Sequence, residues 1–126
     1  MPLVTISVLA GKSDEYRNTV ANAVNTAVID TLDFPPGDRY QLIRELPPQD
    51  LELQDRDGDR AVLELTMRAG QDREDKQAFY ARVTELLDQD PGISPENVMI
   101  VIAENSEEDW SFRDGVAQFI ADSESD

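Results

Sequence analysis

Shifted by 59 residues without a gap, the chain falls on itself. Ala10-Gly11 lands on Ala69-Gly70, Glu15 on Glu74, Pro36 on Pro95 and Glu45 on Glu104. The apolar register follows: Val4 meets Leu63, Ile6 meets Leu65, Val20 meets Phe79, Val24 meets Val83, Val28 meets Leu87 and Ile43 meets Ile102. Such a pattern, sustained over about forty-five positions, marks two copies of one supersecondary unit. Neither copy can bury its apolar face alone, so the two must share a core.

Each copy reads strand, helix, strand. Val4, Ile6 and Val8 alternate with Thr5 and Ser7, the period of a half-buried strand. Gly11 and Lys12 turn the chain, and Ser13 is the expected N-cap, with Asp14 and Glu15 in the first helical turn. Tyr16, Val20, Val24, Ala27, Val28 and Leu32 form a helical stripe, and "FPPGD" (34–38) stops it. "RYQLIREL" returns as a strand. In the second copy "RAVLELTMR" is the strand, Asp72 the cap, Phe79, Val83, Leu86 and Leu87 the stripe, and "VMIVIAEN" the return after "DPGISPEN".

A strand–helix–strand unit makes a parallel pair with a right-handed crossover. Two units predict an α+β domain over 1–126: a four-stranded sheet with both helices on one face, repeat halves at about 2–46 and 60–105, a connecting loop at 47–59 and a frayed tail at 120–126. "VMIVIA" is apolar at every position, as in strands covered on both faces. Two helices cover one face only. A homo-oligomer is therefore expected.

The chain has no Cys and no His. That removes disulfides, thiolate nucleophiles and Ser-His relays, and no metal site or cofactor is expected. Proton chemistry must then use carboxylates, Tyr, Lys, Arg or the terminal amine. With 27 acidic against 11 basic residues, the net charge is −16, and Lys12 and Lys76 are the only lysines. Such a surface repels phosphate backbones and anionic membranes, so no nucleic-acid or membrane partner is expected. Asp-rich surfaces also suit a salt-rich medium, where screening weakens self-repulsion. The N-terminus shows no secretory signal pattern, which makes a cytoplasmic location the expectation.

The repeat aligns Pro2 with Ala61, so a strand start that takes an ordinary residue inside the chain carries Pro at the terminus. Removal of Met1 would leave a secondary amine whose lone pair is aimed by the ring. Desolvation and nearby cations lower the pKa of such an amine, and a nearby carboxylate raises it. It is a general acid or base in a chain that has no His for the task.

Pro2 at a strand start, the doubled unit and the length resemble the tautomerase superfamily. "GDRYQLI" (37–43), "KQAFYARVTELL" (76–87) and "ENSEEDWSF" followed by "GVAQF" (104–119) are similar to its malonate semialdehyde decarboxylase-like branch. The resemblance implies Pro2 as the acid or base, Asp38 as its electrostatic partner or water activator, and Arg68 as an arginine that grips a substrate carboxylate. It also implies a trimer, and a pocket walled by the segment holding Trp110 and Phe112, with Arg39 and Tyr40 as further binding candidates. The branch has an arginine shortly after the position of Arg68, where this chain has Gly70 and Gln71, and a glycine after "DWSF", where it has Arg113. Gln71 and Arg113 are thus the candidates to replace the missing cation.

The expected activity is enol–keto proton transfer on a small 2-oxo or 2-hydroxyalkenoate carboxylate. The alternatives are decarboxylation of malonate semialdehyde or hydration with protonated Pro2, and a silent oligomeric scaffold. An arginine near the amine favours the neutral base, and Asp38 favours the protonated acid.

Overall fold

The computed structural model describes residues 2–124. Four strands, β1 (Leu3–Leu9), β2 (Tyr40–Leu46), β3 (Ala61–Arg68) and β4 (Val98–Asn105), form one sheet in the order β2-β1-β3-β4. β1 runs parallel to β2 and β3 parallel to β4, while β1 and β3 meet antiparallel. The two repeats therefore join back to back through their first strands. Helix α1 (Asp14–Leu32) crosses from β1 to β2, and α2 (Arg73–Gln89) crosses from β3 to β4.

The core lies between one sheet face and the two helices. Val4, Ile6 and Val8 of β1 and Leu63, Leu65 and Met67 of β3 are buried there against Val20, Val24 and Val28 of α1 and Phe79, Val83 and Leu87 of α2. Leu86 is only partly buried beside them. Ser13 caps α1 by accepting from the Tyr16 backbone N–H at 3.0 Å. Asp72 occupies the N-cap of α2 with extended backbone, but its side chain makes no capping bond. Gly11 and Gly70 end their strands at equivalent points with φ of +92° and +134°, a region that strains any side chain.

On the opposite sheet face, Leu3, Leu42, Met99 and Val101 are exposed, the last three by 45–50%. Val98, Ile100 and Ile102, which alternate with them in β4, pack on the core. The uniformly apolar β4 thus divides between a covered and an open face.

The repeat also runs further than its apolar register indicates. A 3₁₀ turn at Pro48–Asp50 follows β2, and another at Glu107–Asp109 follows β4 at the equivalent positions. Residues 47–60 and 106–119 thus begin alike in the two halves and then diverge, the second forming an Arg113–Val116 bridge. The first is pinned by Arg60, whose buried guanidinium donates to the carbonyls of Leu51 (2.7 Å), Gly58 (2.9 Å) and Pro48 (3.1 Å). Asn97 adds two bonds to the carbonyls of Asp57 and Asp59. The connecting loop is therefore a fixed part of the fold. Where a frayed tail is expected, the chain forms a third helix, α3 (Gln118–Glu124); residues 125–126 lie outside the described part.

Candidate active site

A cleft of about 660 Å³ opens beside the end of β3. Residues 32–35, where α1 ends, form one side together with Asp38. Residues 68–71 and Asp75 form the other, and Glu107 and Phe119 close it from the C-terminal segment. Three of the residues singled out from sequence, Asp38, Arg68 and Gln71, thus line one cleft.

Pro2 is buried and is not itself part of that lining. Leu3 pairs with Tyr40 on one side and Thr66 on the other. Continued one residue past the end of the ladder, this register would bring Arg39 and Met67 level with Pro2. The next residues along those two segments are Asp38 and Arg68. A proline is admitted here because the strand ladder starts only at Leu3.

Each side chain at the cleft has a local reason for its position. Pro35 and Asp38 close a turn, the Asp38 N–H donating to the Pro35 carbonyl at 3.0 Å. Asp33 ends α1 in the left-handed region (φ 59°), which Asp tolerates better than most residues. Gln71 donates from Nε2 to the Leu32 carbonyl at 3.1 Å, tying the strand end of the second half to the helix end of the first. Arg68 Nη1 donates to Glu107 Oε1 at 3.1 Å, and its guanidinium carbon lies 4.5 Å from the Phe119 ring centre. Ser106 donates its backbone N–H and its hydroxyl to the Asp109 carboxylate, which fixes the turn carrying Glu107 and holds the Asp109 carboxyl below its ordinary value.

The remaining candidates sit around the cleft rather than in its wall. Arg39 turns to the helix side, donating to Asn22 (2.9 Å) and Gln41 (3.1 Å). Trp110 stacks on Phe112 (5.3 Å between ring centres), Phe112 meets Tyr40 (5.6 Å), and Phe119 stands edge-on to Phe112 (5.3 Å). Trp110 is anchored by its Nε1, which donates to Asn105 Oδ1 at 2.6 Å. This aromatic chain runs from the end of β4 to the start of β2, across the strand ends that flank Pro2. Arg113 is exposed, and its carbonyl accepts from Gln118 at 2.8 Å.

Sequence reasoning passes over Asp33, Asp75, Glu107 and Phe119. The repeat holds a signal for the last two. The shift that carries Pro48 onto Glu107 also carries Arg60 onto Phe119. In the first half that segment lies against the far end of the sheet, where Arg60 and Asn97 hold it; in the second half it borders the cleft. Asn97 itself stands where Asp38 stands in the other copy.

The arrangement offers a carboxylate, a guanidinium and an apolar ring around one small opening. Comparisons with known proteins identify the family. A sequence profile described as "Tautomerase enzyme" matches residues 38–113, and a second of the same description matches residues 2–56. The chain is 30% identical to a probable tautomerase, YrdN, of Bacillus subtilis strain 168, over 95% of this chain and 97% of that one. It is 28% identical to a second from the same organism, YusQ, over 95% and 99%. Among solved structures it is similar to FG41 malonate semialdehyde decarboxylase inhibited by 3-bromopropiolate (TM-score 0.89, 31% identity, 96% of each chain). A fused 4-OT solved as an asymmetric trimer shares the fold (TM-score 0.81, 19% identity, 94% of this chain and 98% of that one). With a family profile spanning more than half its length, the chain belongs to the tautomerase family and is an isomerase-type enzyme.

Proposed function

We propose that the enzyme moves a proton on a small carboxylate, converting an enol acid of the 2-hydroxyalkenoate or phenylenolpyruvate type to its 2-oxo form. Pro2, with its nitrogen freed by removal of Met1, is the base. It takes the enol hydroxyl proton and returns a proton to carbon as the C=C bond becomes single and the carbonyl forms. Arg68 holds the carboxylate, for which a guanidinium offers two parallel donors. Asp38 sets the charge of the amine. What supports this reading is that Asp38 and Arg68 line one cleft, at the end of the sheet where β1 begins after Pro2.

One observation favours a second reading. The cleft wall holds Asp33, Asp38, Asp75 and Glu107 against Arg68, and Arg68 is already paired with Glu107. An amine facing that balance gains protons. A protonated Pro2 suits decarboxylation or hydration, the activities of the malonate semialdehyde decarboxylases to which the chain is similar.

The test is ketonisation of phenylenolpyruvate and turnover of malonate semialdehyde by the wild type and by Pro2→Ala. Loss of 10²-fold or more in kcat with the variant is expected, in the range of a positioned general base. A Pro2→Ala enzyme as fast as wild type on both substrates would remove Pro2 from the mechanism. A titration of the terminal amine separates the two readings: a depressed pKa belongs to the base, a raised one to the acid.

The exposed side chains of Leu3, Leu42, Met99 and Val101 support a homo-oligomer built on the open sheet face. A trimer is the count implied by the resemblance.

A further inference from the structure

We infer that Glu107 is a built-in competitor for the substrate's carboxylate, and so sets how tightly the cleft holds its substrate. The inference rests on the proposed role of Arg68. Glu107 Oε1 sits 3.1 Å from Arg68 Nη1, and both side chains line the cleft. The position a substrate carboxylate would take on the guanidinium is therefore contested by a carboxylate of the chain itself.

Two features make this contact displaceable. First, Glu107 uses one oxygen on one guanidinium nitrogen, whereas a free carboxylate can pair through both of its oxygens. Second, both partners are open to solvent, with side-chain exposures of 43% and 57%, and exposed ion pairs are weak. The contact is also held in place from outside. Ser106 and Asp109 lock the turn that presents Glu107, and Phe119 lies against the guanidinium. Arg68 thus stays aimed at the cleft while Glu107 occupies it, and an incoming carboxylate exchanges for Glu107 without any rebuilding of the site. The cost is affinity. Part of the attraction between Arg68 and a substrate is spent on displacing Glu107, and the displaced charge then faces the bound anion.

The test uses 3-phenylpropionate, a saturated carboxylate that does not turn over, as a binding probe, and phenylenolpyruvate as substrate. Glu107→Gln keeps the size of the side chain and removes its charge. It is expected to bind the probe about two- to five-fold tighter, the range of an exposed pair of up to ~1 kcal/mol. The accompanying gain in kcat/KM is expected in KM. In the Arg68→Met background the same substitution is expected to gain less than in the wild type, since only relief of repulsion is left once there is no guanidinium to compete for. Equal or weaker binding by Glu107→Gln, with Arg68→Met weaker than wild type, would overturn the competitor role and leave Arg68 as the carboxylate holder. Unaltered binding by Arg68→Met alone would remove Arg68 from the site, and the inference would fall with the reading beneath it.

Discussion

Lys76, in the first turn of α2, reaches the Glu104 carboxylate near the end of β4. Arg17 does the same to Glu45, at 3.4 Å, in the first half. The pairs are equivalent under the repeat, so each helix start is fastened to the returning strand of its own unit. The hydrogen bond from Lys76 holds the Glu104 carboxyl below its ordinary 4.5. A depressed carboxyl stabilises the fold above the unfolded pKa, and that contribution is lost as pH falls through the folded value. Glu104→Gln is therefore expected to lower unfolding free energy at pH 7 by under ~1 kcal/mol, since the pair is exposed, and to make no difference in acid below both values. Urea unfolding at the two pH values checks this.

Arg60 satisfies three loop carbonyls with one buried guanidinium. Arg60→Met keeps an apolar stem of similar length but leaves those carbonyls without a donor. A loss of about 2–4 kcal/mol is expected, on the scale of unmade buried hydrogen bonds. For a chain of this size that lowers Tm by roughly 10 °C, measurable by calorimetry. Arg60→Lys should recover only part of it, because an ammonium cannot reproduce the planar fork.

Tyr16 buries its hydroxyl without a partner among the described residues. Burial first, and the Asp59 carboxylate second, push its pKa up to about 12. A raised pKa on a phenol means that the folded state keeps the proton longer than the unfolded one. Its effect on stability is absent below the ordinary value of 10 and destabilises as pH rises toward 12. An absorbance titration should show one of the three tyrosines ionising late, and Tyr16→Phe should remove that phase. The same variant should hold or raise neutral-pH stability by up to ~1 kcal/mol, because no hydrogen bond is broken.

The sheet and its two helices are legible in the sequence because both copies keep the same apolar spacing, and burial at Val4, Ile6, Leu63 and Leu65 follows it. The extension of the repeat into 47–60 and 106–119 is not. There only the opening 3₁₀ turn is shared and the side chains are exchanged: Pro48 answers to Glu107, Leu51 to Trp110 and Arg60 to Phe119. No apolar periodicity survives such exchanges. The same reason divides the site. Asp38, Arg68 and Gln71 sit on strand ends and turns fixed by the repeat, so their positions can be anticipated. Glu107 and Phe119 reach the cleft only through the path of the C-terminal segment, which depends on the Trp110–Asn105 and Phe112–Tyr40 contacts between distant elements.

The open sheet face gives the last prediction. Met99 and Val101 stand at the middle of β4, each 45% exposed, and Leu42 is 50% exposed on β2 at the other edge. The sheet order puts β1 and β3 between them, with Leu3 of β1 also outward. Exposed apolar side chains at both edges of one sheet face, with Thr5 and Glu64 level with Leu42 and Val101 on the central strands, are poorly solvated in a chain with a net charge of −16. If copies of the chain cover this face, a second carboxylate placed level with Glu64 must be buried beside a like charge in the assembly and costs far more there than in a free chain. Val101→Glu is expected to shift the species seen by sedimentation from oligomer to monomer, while far-UV circular dichroism stays that of the wild type because the core side of β4, Val98, Ile100 and Ile102, is untouched. Gln77→Glu, which adds the same charge at an exposed position of α2 on the other side of the sheet, should leave the oligomer intact. An oligomer unaffected by Val101→Glu would move the interface elsewhere on the surface.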